Sequence, residues 1–247
     1  MRILVTGAEG LLGSALVRAG ALGASRGQLN VCDPTHVDRA LQTLQPDAVI
    51  FCAALTDVDR CATDPGAWQL NVEAPAAMAA RVPTWLVSTN YVFDGPGPHR
   101  PTDPRSPVGA YGRQKAAAED AVLAAGGHVV RTGWLFGPGG RNFASRLPAL
   151  LRAGPITALE RWPVQPTWAP DLAAHLLTLP RGVTHAIGGE TTTWGEAARV
   201  VCGALGLDPG RVCGIDAFPG EQPRPSDARL SPAALPGWST HISEWVS

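Results

Sequence analysis

A short apolar run, Arg2-Ile-Leu-Val-Thr6, ends at Gly7, and Leu11, Leu12, Ala15, Leu16 and Ala19 then recur at helical spacing. Strand, glycine turn and helix at the very start commit the chain to a βα opening, and the alternation continues. The next helix follows Asp33-Pro34, with Val37, Ala40, Leu41 and Leu44 on one face, and stops before Pro46. The apolar run Asp47–Ala54 reads as a strand covered on both faces. A helix over 66–81 leads to a strand at 83–89. After a Pro- and Gly-rich loop at 94–107, a helix near 110–125 precedes a strand at 128–132. Strands joined by helices pair in parallel through right-handed crossovers, so the chain is of the α/β class, built on a doubly wound parallel sheet.

Beyond residue 135 the pattern loosens. Helices are expected near 143–153, 170–178 and 194–205, and strands near 183–187 and 211–215. Thr193 and Glu196 have the spacing of a capping box for the last of these helices. No shift in composition separates this part. Residues 1–135 therefore form the core, and 136–247 are read as a small C-terminal region interleaved with it rather than an independent domain.

Composition excludes several classes. With 247 residues, 45% of them apolar, and a formal charge of −1, the chain can bury a large core, and it has no Lys/Arg cluster to meet a nucleic-acid backbone or an anionic membrane. A small-molecule partner is expected. No apolar run approaches the roughly 20 residues of a membrane span, and the N-terminal run breaks at Glu9, too early for a signal peptide. The cysteines at 32, 52, 61, 202 and 213 include no C-x-x-C pair, which fits free thiols in a reducing cytoplasm. The histidines lack metal-ligand spacing, so no metal site is expected.

Gly7, Gly10 and Gly13 stand three apart between the first strand and the first helix. Such a turn lets the backbone approach a pyrophosphate whose charge the helix N-terminus favours, the arrangement of a Rossmann-type dinucleotide site. The G-x-x-G-x-x-G spacing suggests the extended short-chain dehydrogenase/reductase type. After the second strand comes Arg26, with no acid until Asp33. An arginine there suits a 2′-phosphate, so NADPH is expected, with NADH possible, and Arg26 and Asp33 are taken as cofactor-binding candidates.

Of twenty basic residues nineteen are arginine: Lys115 is the only lysine, and Tyr91 and Tyr111 are the only tyrosines. Tyr111 and Lys115 share a helix face one turn apart. A neighbouring ammonium favours a phenolate, so Lys115 can tune Tyr111 as a general acid/base. Upstream, Ser88 and Thr89 end a strand where ligands bind in such sheets. Alternation lets only one of them face the substrate, and Thr89 is expected to do so, bonded to the carbonyl and to the phenol. Hydroxyl, phenol and ammonium beside a nicotinamide make a carbonyl reductase.

These residues resemble the dTDP-4-dehydrorhamnose reductase family over nearly the whole chain. The resemblance is carried by Met-Arg-Ile-Leu-Val-Thr-Gly at the start, Pro46–Ala54 with Val58-Asp59, Ser88-Thr-Asn-Tyr-Val-Phe-Asp-Gly95, Tyr111-Gly and Arg131-Thr-Gly-Trp134 with Asn142-Phe143. Pro166-Thr167, Gly189-Glu-Thr-Thr-Thr-Trp194 and Arg224-Pro-Ser-Asp-Ala-Arg229-Leu extend it. It implies reduction of the C4 ketone of a dTDP-4-keto-6-deoxy sugar, the last step to dTDP-L-rhamnose. Thr89, Tyr111 and Lys115 would be the catalytic residues, with Lys115 also on the nicotinamide ribose. Gly7, Gly10, Leu11, Leu12, Ala53 and Ala54 would line the cofactor, and Tyr91, Trp134 and Asn142 the sugar nucleotide. The chain departs from the family at Asn90, usually Asp, and at Arg161-Trp162, usually an acid and Gln. Ala15 stands where some members carry a magnesium-binding glutamate of their dimer, so a monomer or weak homodimer without that metal is expected. Two other readings compete: a different nucleotide-sugar ketoreductase of deoxysugar synthesis, and a non-catalytic subunit resembling the methionine adenosyltransferase β subunit.

Overall fold

Every residue of β1 (Ile3–Thr6) is buried, as a strand covered on both faces requires. The computed structural model describes residues 1–139, 141–217 and 222–247. After β1 come α1 (Leu11–Arg18), β2 (Leu22–Gly23), α2 (Pro34–Leu44), β3 (Ala48–Phe51), α3 (Arg60–Thr63), α4 (Ala74–Ala79), β4 (Thr84–Thr89), α5 (Ala110–Ala124) and β5 (His128–Thr132). The later part contributes β6 (Leu135–Phe136), α6 (Phe143–Ala153), β7 (Ile156–Leu159), β8 (Thr167–Trp168), α7 (Ala169–Leu176), β9 (Val183–His185), α8 (Trp194–Ala204), β10 (Val212–Ile215) and α9 (Ile242–Val246).

The main sheet runs β2-β1-β3-β4-β5-β9, with every pair parallel. Alternating side chains serve its two faces. Ile3, Val5 and Ile50 pack with Leu12 and Leu16 of α1 and Leu172 and Leu176 of α7. Leu4, Val49 and Phe51 pack on the other side with Val37 of α2, Met78 of α4 and Val122 of α5. Each fully buried aliphatic side chain contributes about 1.5–3 kcal/mol. The chain winds from β1 to β2 in one direction and from β1 to β3 in the other. The crevice between the carboxyl ends of β1 and β3 is thus the topological switch point, where ligands bind in such sheets.

The later residues do return to this core: β9 extends the sheet beside β5 and α7 lies against α1. The rest gathers around a second cluster, in which Phe136, Leu147, Trp168, Trp194, Trp238 and Trp245 are buried together. Two parallel ladders, β7 with β10 and β6 with β8, frame that cluster. The capping box on α8 is present, Thr193 and Glu196 each accepting from the other's backbone N–H at 3.1 and 3.0 Å.

Two expected elements are cut short. The strand read over 47–54 leaves the ladder after Phe51, because Thr6 Oγ1 accepts from the N–H groups of both Cys52 and Ala53 at 3.1 and 3.2 Å and turns the chain over Gly7. The helix read over 66–81 is interrupted by a π turn at Gln69–Glu73. Asn71 lies within that turn and is 1% exposed.

Candidate active site

The glycine turn closes on the end of β3. Gly7 has φ +67°, which suits a residue without Cβ, and a Cβ there would stand 3.0 Å from Ala53 Cα. A side chain on Gly13 would run into the Gly7 carbonyl, and Gly10 N–H donates to that carbonyl at 3.0 Å. The N-terminus of α1 has no side-chain cap and no acid in its first turn. Its first N–H groups and positive dipole end are therefore left for an anion. This uncapped helix over a tight glycine turn, at the switch point, fits a dinucleotide pyrophosphate.

The other expected cofactor residues divide. Ala53 stands against the Gly7 turn, and Leu11, Ala53 and Ala54 are half-buried. Leu12 packs into the core, so only its backbone can serve a ligand. Arg26 is exposed in the turn after β2. The Asp33 carboxylate caps α2 instead, accepting from Thr35 N–H at 2.9 Å and His36 N–H at 3.3 Å.

At the end of β4 the two hydroxyls part as alternation demands. Ser88 Oγ donates to Glu119 Oε1 at 2.5 Å, beneath the site, whereas the Thr89 hydroxyl accepts from Tyr91 N–H at 3.2 Å and is a neighbour that lowers the Tyr111 phenol pKa. Lys115 is 2% exposed and donates to the Val87 carbonyl at 2.8 Å. Burial lowers the Lys115 pKa to about 8, and Glu119 is foremost among the groups that hold it up. Burial also pushes the Tyr111 phenol well above its ordinary value, with Thr89 pulling it back. As it stands the site favours the neutral phenol, the form that can donate a proton.

Asn71, which periodicity alone did not single out, ties these parts together. Its side chain accepts from Leu55 N–H at 2.8 Å and donates to the side-chain Oε1 of Gln114 at 2.8 Å, between Tyr111 and Lys115 on α5. Gln114 in turn donates to the Cys61 carbonyl at 2.9 Å. The loop after β3 is thereby fixed to the helix that carries Tyr111 and Lys115. A polar residue at a helical core position was the available signal.

Beneath the site lies a buried ionic cluster. Glu119 is fully buried and accepts from Arg131 Nε at 3.0 Å and Nη2 at 2.7 Å, and from Arg105 Nη1 at 3.1 Å, besides Ser88. Arg131 also donates to the Pro101 carbonyl at 3.1 Å and lies 4.9 Å from the Phe93 ring centre. His185, 3.5 Å from Arg131, is pushed by burial and by that arginine down to about 4, so it stays neutral. Removing one partner of such a pair leaves an uncompensated buried charge, at about 3–5 kcal/mol.

The substrate side is aromatic. Tyr91 was expected to share the Thr89 side on an extended backbone, but Asn90–Val92 form a 3-10 turn capped by Thr89. The ring reaches the site by that turn, its centre 6.0 Å from both Tyr111 and Trp134. Trp134 has φ +53°, a costly conformation for a bulky side chain, and its ring meets Trp194 at 5.5 Å. Tyr91 and Trp134 line a cleft with Leu159, Trp162, Pro163, Arg224, Pro225 and Ala228. Trp162 and Arg224 were not foreseen as site residues, since they come from loops with no periodic pattern. Asn142 is taken up locally: it caps α6 through Ser145 N–H at 2.8 Å and donates to the Leu135 carbonyl at 2.6 Å. Asn90 donates to the Ala228 carbonyl at 3.1 Å, which an ionised aspartate could not do.

A family model described as the RmlD substrate binding domain matches residues 1–246. The dTDP-4-dehydrorhamnose reductase of Mycobacterium tuberculosis (strain CDC 1551 / Oshkosh) is 38% identical, over 100% of this chain and 90% of its own length. A Streptomyces antibioticus protein named "Probable dTDP-4,6-dihydroxy-2-methyloxan-3-one 4-ketoreductase" is also 38% identical, over 97% of this chain and 86% of its own. Among solved structures, the dTDP-4-dehydrorhamnose reductase of Bacillus anthracis in complex with NADP superposes with a TM-score of 0.90. It covers 99% of this chain and 98% of that one at 23% identity, a likeness of fold. On a match that spans nearly every residue, the chain belongs to the dTDP-4-dehydrorhamnose reductase (RmlD) family.

Proposed function

We propose that this protein reduces the C4 ketone of a dTDP-4-keto-6-deoxy sugar, converting dTDP-4-dehydrorhamnose to dTDP-L-rhamnose. The observation that carries this reading is the meeting of Thr89 and Tyr111 with the buried Lys115, at the carboxyl edge of a sheet whose first turn fits a dinucleotide. The names of the relatives support it, and the NADP complex of the Bacillus anthracis protein supports the cofactor.

Gly7, Gly10, Leu11, Leu12, Gly13, Ala53 and Ala54 hold the cofactor, with Arg26 at the 2′-phosphate end favouring NADPH over NADH. Bound there, the reduced nicotinamide supplies a hydride to the carbonyl carbon. Tyr111 gives its proton to the carbonyl oxygen, Thr89 orients both phenol and oxygen, and Lys115 holds a positive charge beside them. Tyr91, Trp134 and Trp162 offer aromatic faces to the sugar nucleotide. Arg224, 3.4 Å from Asp59, sets a guanidinium in the same cleft, suited to a diphosphate. Residues 1–135 thus supply the cofactor site and 136–247 most of the substrate wall. The enzyme is read as a monomer or weak homodimer of the cytoplasm; among the described residues no helix is long and apolar enough to cross a membrane.

A second reading, reduction of a different dTDP-4-keto sugar, is favoured by Trp162 in the cleft and by the name of the Streptomyces antibioticus relative. Incubation with NADPH and a panel of dTDP-4-keto-6-deoxy sugars tests both. Cofactor oxidation fastest with dTDP-4-dehydrorhamnose supports the first, and a clear preference for another sugar supports the second. Oxidation with none of them, beside a measurable affinity for a protein partner, supports a non-catalytic subunit.

A further inference from the structure

Tyr111, Lys115 and Glu119 repeat at intervals of four along α5, so all three lie on one helix face. The third member contacts neither cleft, and it is fully buried. Its carboxylate nonetheless gathers a donor from each surrounding element: Ser88 of β4, Arg131 of β5, and Arg105 from the loop before α5. Ser88 is the neighbour of Thr89, and Arg131 lies three residues before Trp134. A carboxylate with both oxygens engaged resists sliding of the helix along the sheet, because any shift breaks charge-assisted bonds in a dry environment.

We propose that Glu119 is a positioning residue for the reaction: it locks α5 against β4 and β5 so that the Tyr111 phenol meets Thr89, and it supplies the negative charge that Lys115 senses. The inference rests on the catalytic reading of Tyr111 and Lys115. The charged and titratable groups around Lys115 are Glu119 on its own helix, Cys52 after β3 and Cys61 on α3. Of these Glu119 is the carboxylate, held by Arg131 and Arg105, while burial raises both thiols. Arg131 and Arg105 face the carboxylate from the opposite side, with Asp120 bound to Arg105 at 2.6 Å and neutral His185 behind Arg131.

Glu119→Gln keeps the shape and removes the charge. Misplacement of the phenol is expected to lower kcat about 10- to 100-fold, with the dissociation constant of NADPH unchanged within about twofold. The pH at which activity is lost on the alkaline side is expected to move down by about one unit, because the lysine loses its anionic neighbour. Wild-type kcat per folded molecule with an unmoved alkaline limb would overturn the proposal and leave Glu119 a purely structural residue. Ser88→Ala provides a variant that leaves every charge paired. Several-fold loss of kcat with unchanged melting temperature and NADPH affinity supports the proposal, and unchanged kcat overturns it even if Glu119→Gln does not fold. The two readings separate cleanly: turnover retained in Tyr111→Phe would overturn the catalytic assignment itself, whereas an inactive Tyr111→Phe with normal Glu119→Gln and Ser88→Ala would remove only the role of Glu119.

Discussion

Replacing Tyr111 by Phe is expected to lower kcat by about 10²–10⁴-fold, the usual worth of a positioned general acid, with little change in NADPH affinity. The substitution removes one oxygen from a ring held by Tyr91 and by the start of α5, so the fold should persist. The physical reason for a large loss is that the alkoxide formed at C4 has no other proton donor placed for it. Thr89 can orient an oxygen, but its hydroxyl is far too weak an acid to serve. The elevated pKa of the phenol is compatible with this role, because Tyr111 stays protonated across the neutral range and its proton moves to a stronger base. Parallel measurements of kcat and of NADPH binding check the prediction. Turnover within tenfold of wild type would remove Tyr111 from the chemistry.

Lys115→Arg is expected to lower kcat by a similar order, about 10²-fold or more, although charge is conserved. An ammonium is a compact point donor and fits the space under the Val87 carbonyl, whereas the planar guanidinium needs a wider pocket and several acceptors. The pH dependence separates charge from shape. The Lys115 pKa is displaced downward to about 8, so the ammonium is present below that pH and is lost as the pH rises through it. Wild-type kcat/KM should therefore decline above about pH 8. Residual activity of the arginine variant should lack that decline, since guanidinium does not deprotonate in this range. A full-activity variant would mean that the single lysine among nineteen arginines has no catalytic reason to be there.

Much of the framework is legible in the residues, because its strands are continuous apolar runs and its helices carry one apolar face. The first turn shows how far this goes: three glycines between strand and helix locate the crevice, and alternation at Ser88 and Thr89 separates the hydroxyl at the site from the one beneath it. What escaped detection lacks period. β6, β7 and β8 are two to four residues long, too short for alternation to register. Trp162 and Arg224 enter the cleft from irregular loops, whereas Asn71 shares the buried helix face of Ala67, Ala74 and Met78 and stands out there only as a polar residue. Asn142, to which the resemblance gives a substrate role, also caps α6 through Ser145 and bonds the Leu135 carbonyl, a competition that short polar side chains before helices present. The Asp33 carboxylate likewise caps α2.

The central claim is that this chain delivers hydride to C4 of a dTDP-linked 4-keto sugar and a proton, through Tyr111, to its oxygen. The most direct measurement is a single turnover with NADPH carrying deuterium at the transferred position, followed by mass and NMR analysis of the sugar. The account predicts one deuterium, bonded to C4 of the reduced sugar, and none in the Tyr111→Phe protein on the same timescale. Deuterium at another carbon, or cofactor bound without transfer to any dTDP-4-keto-6-deoxy sugar, would contradict it.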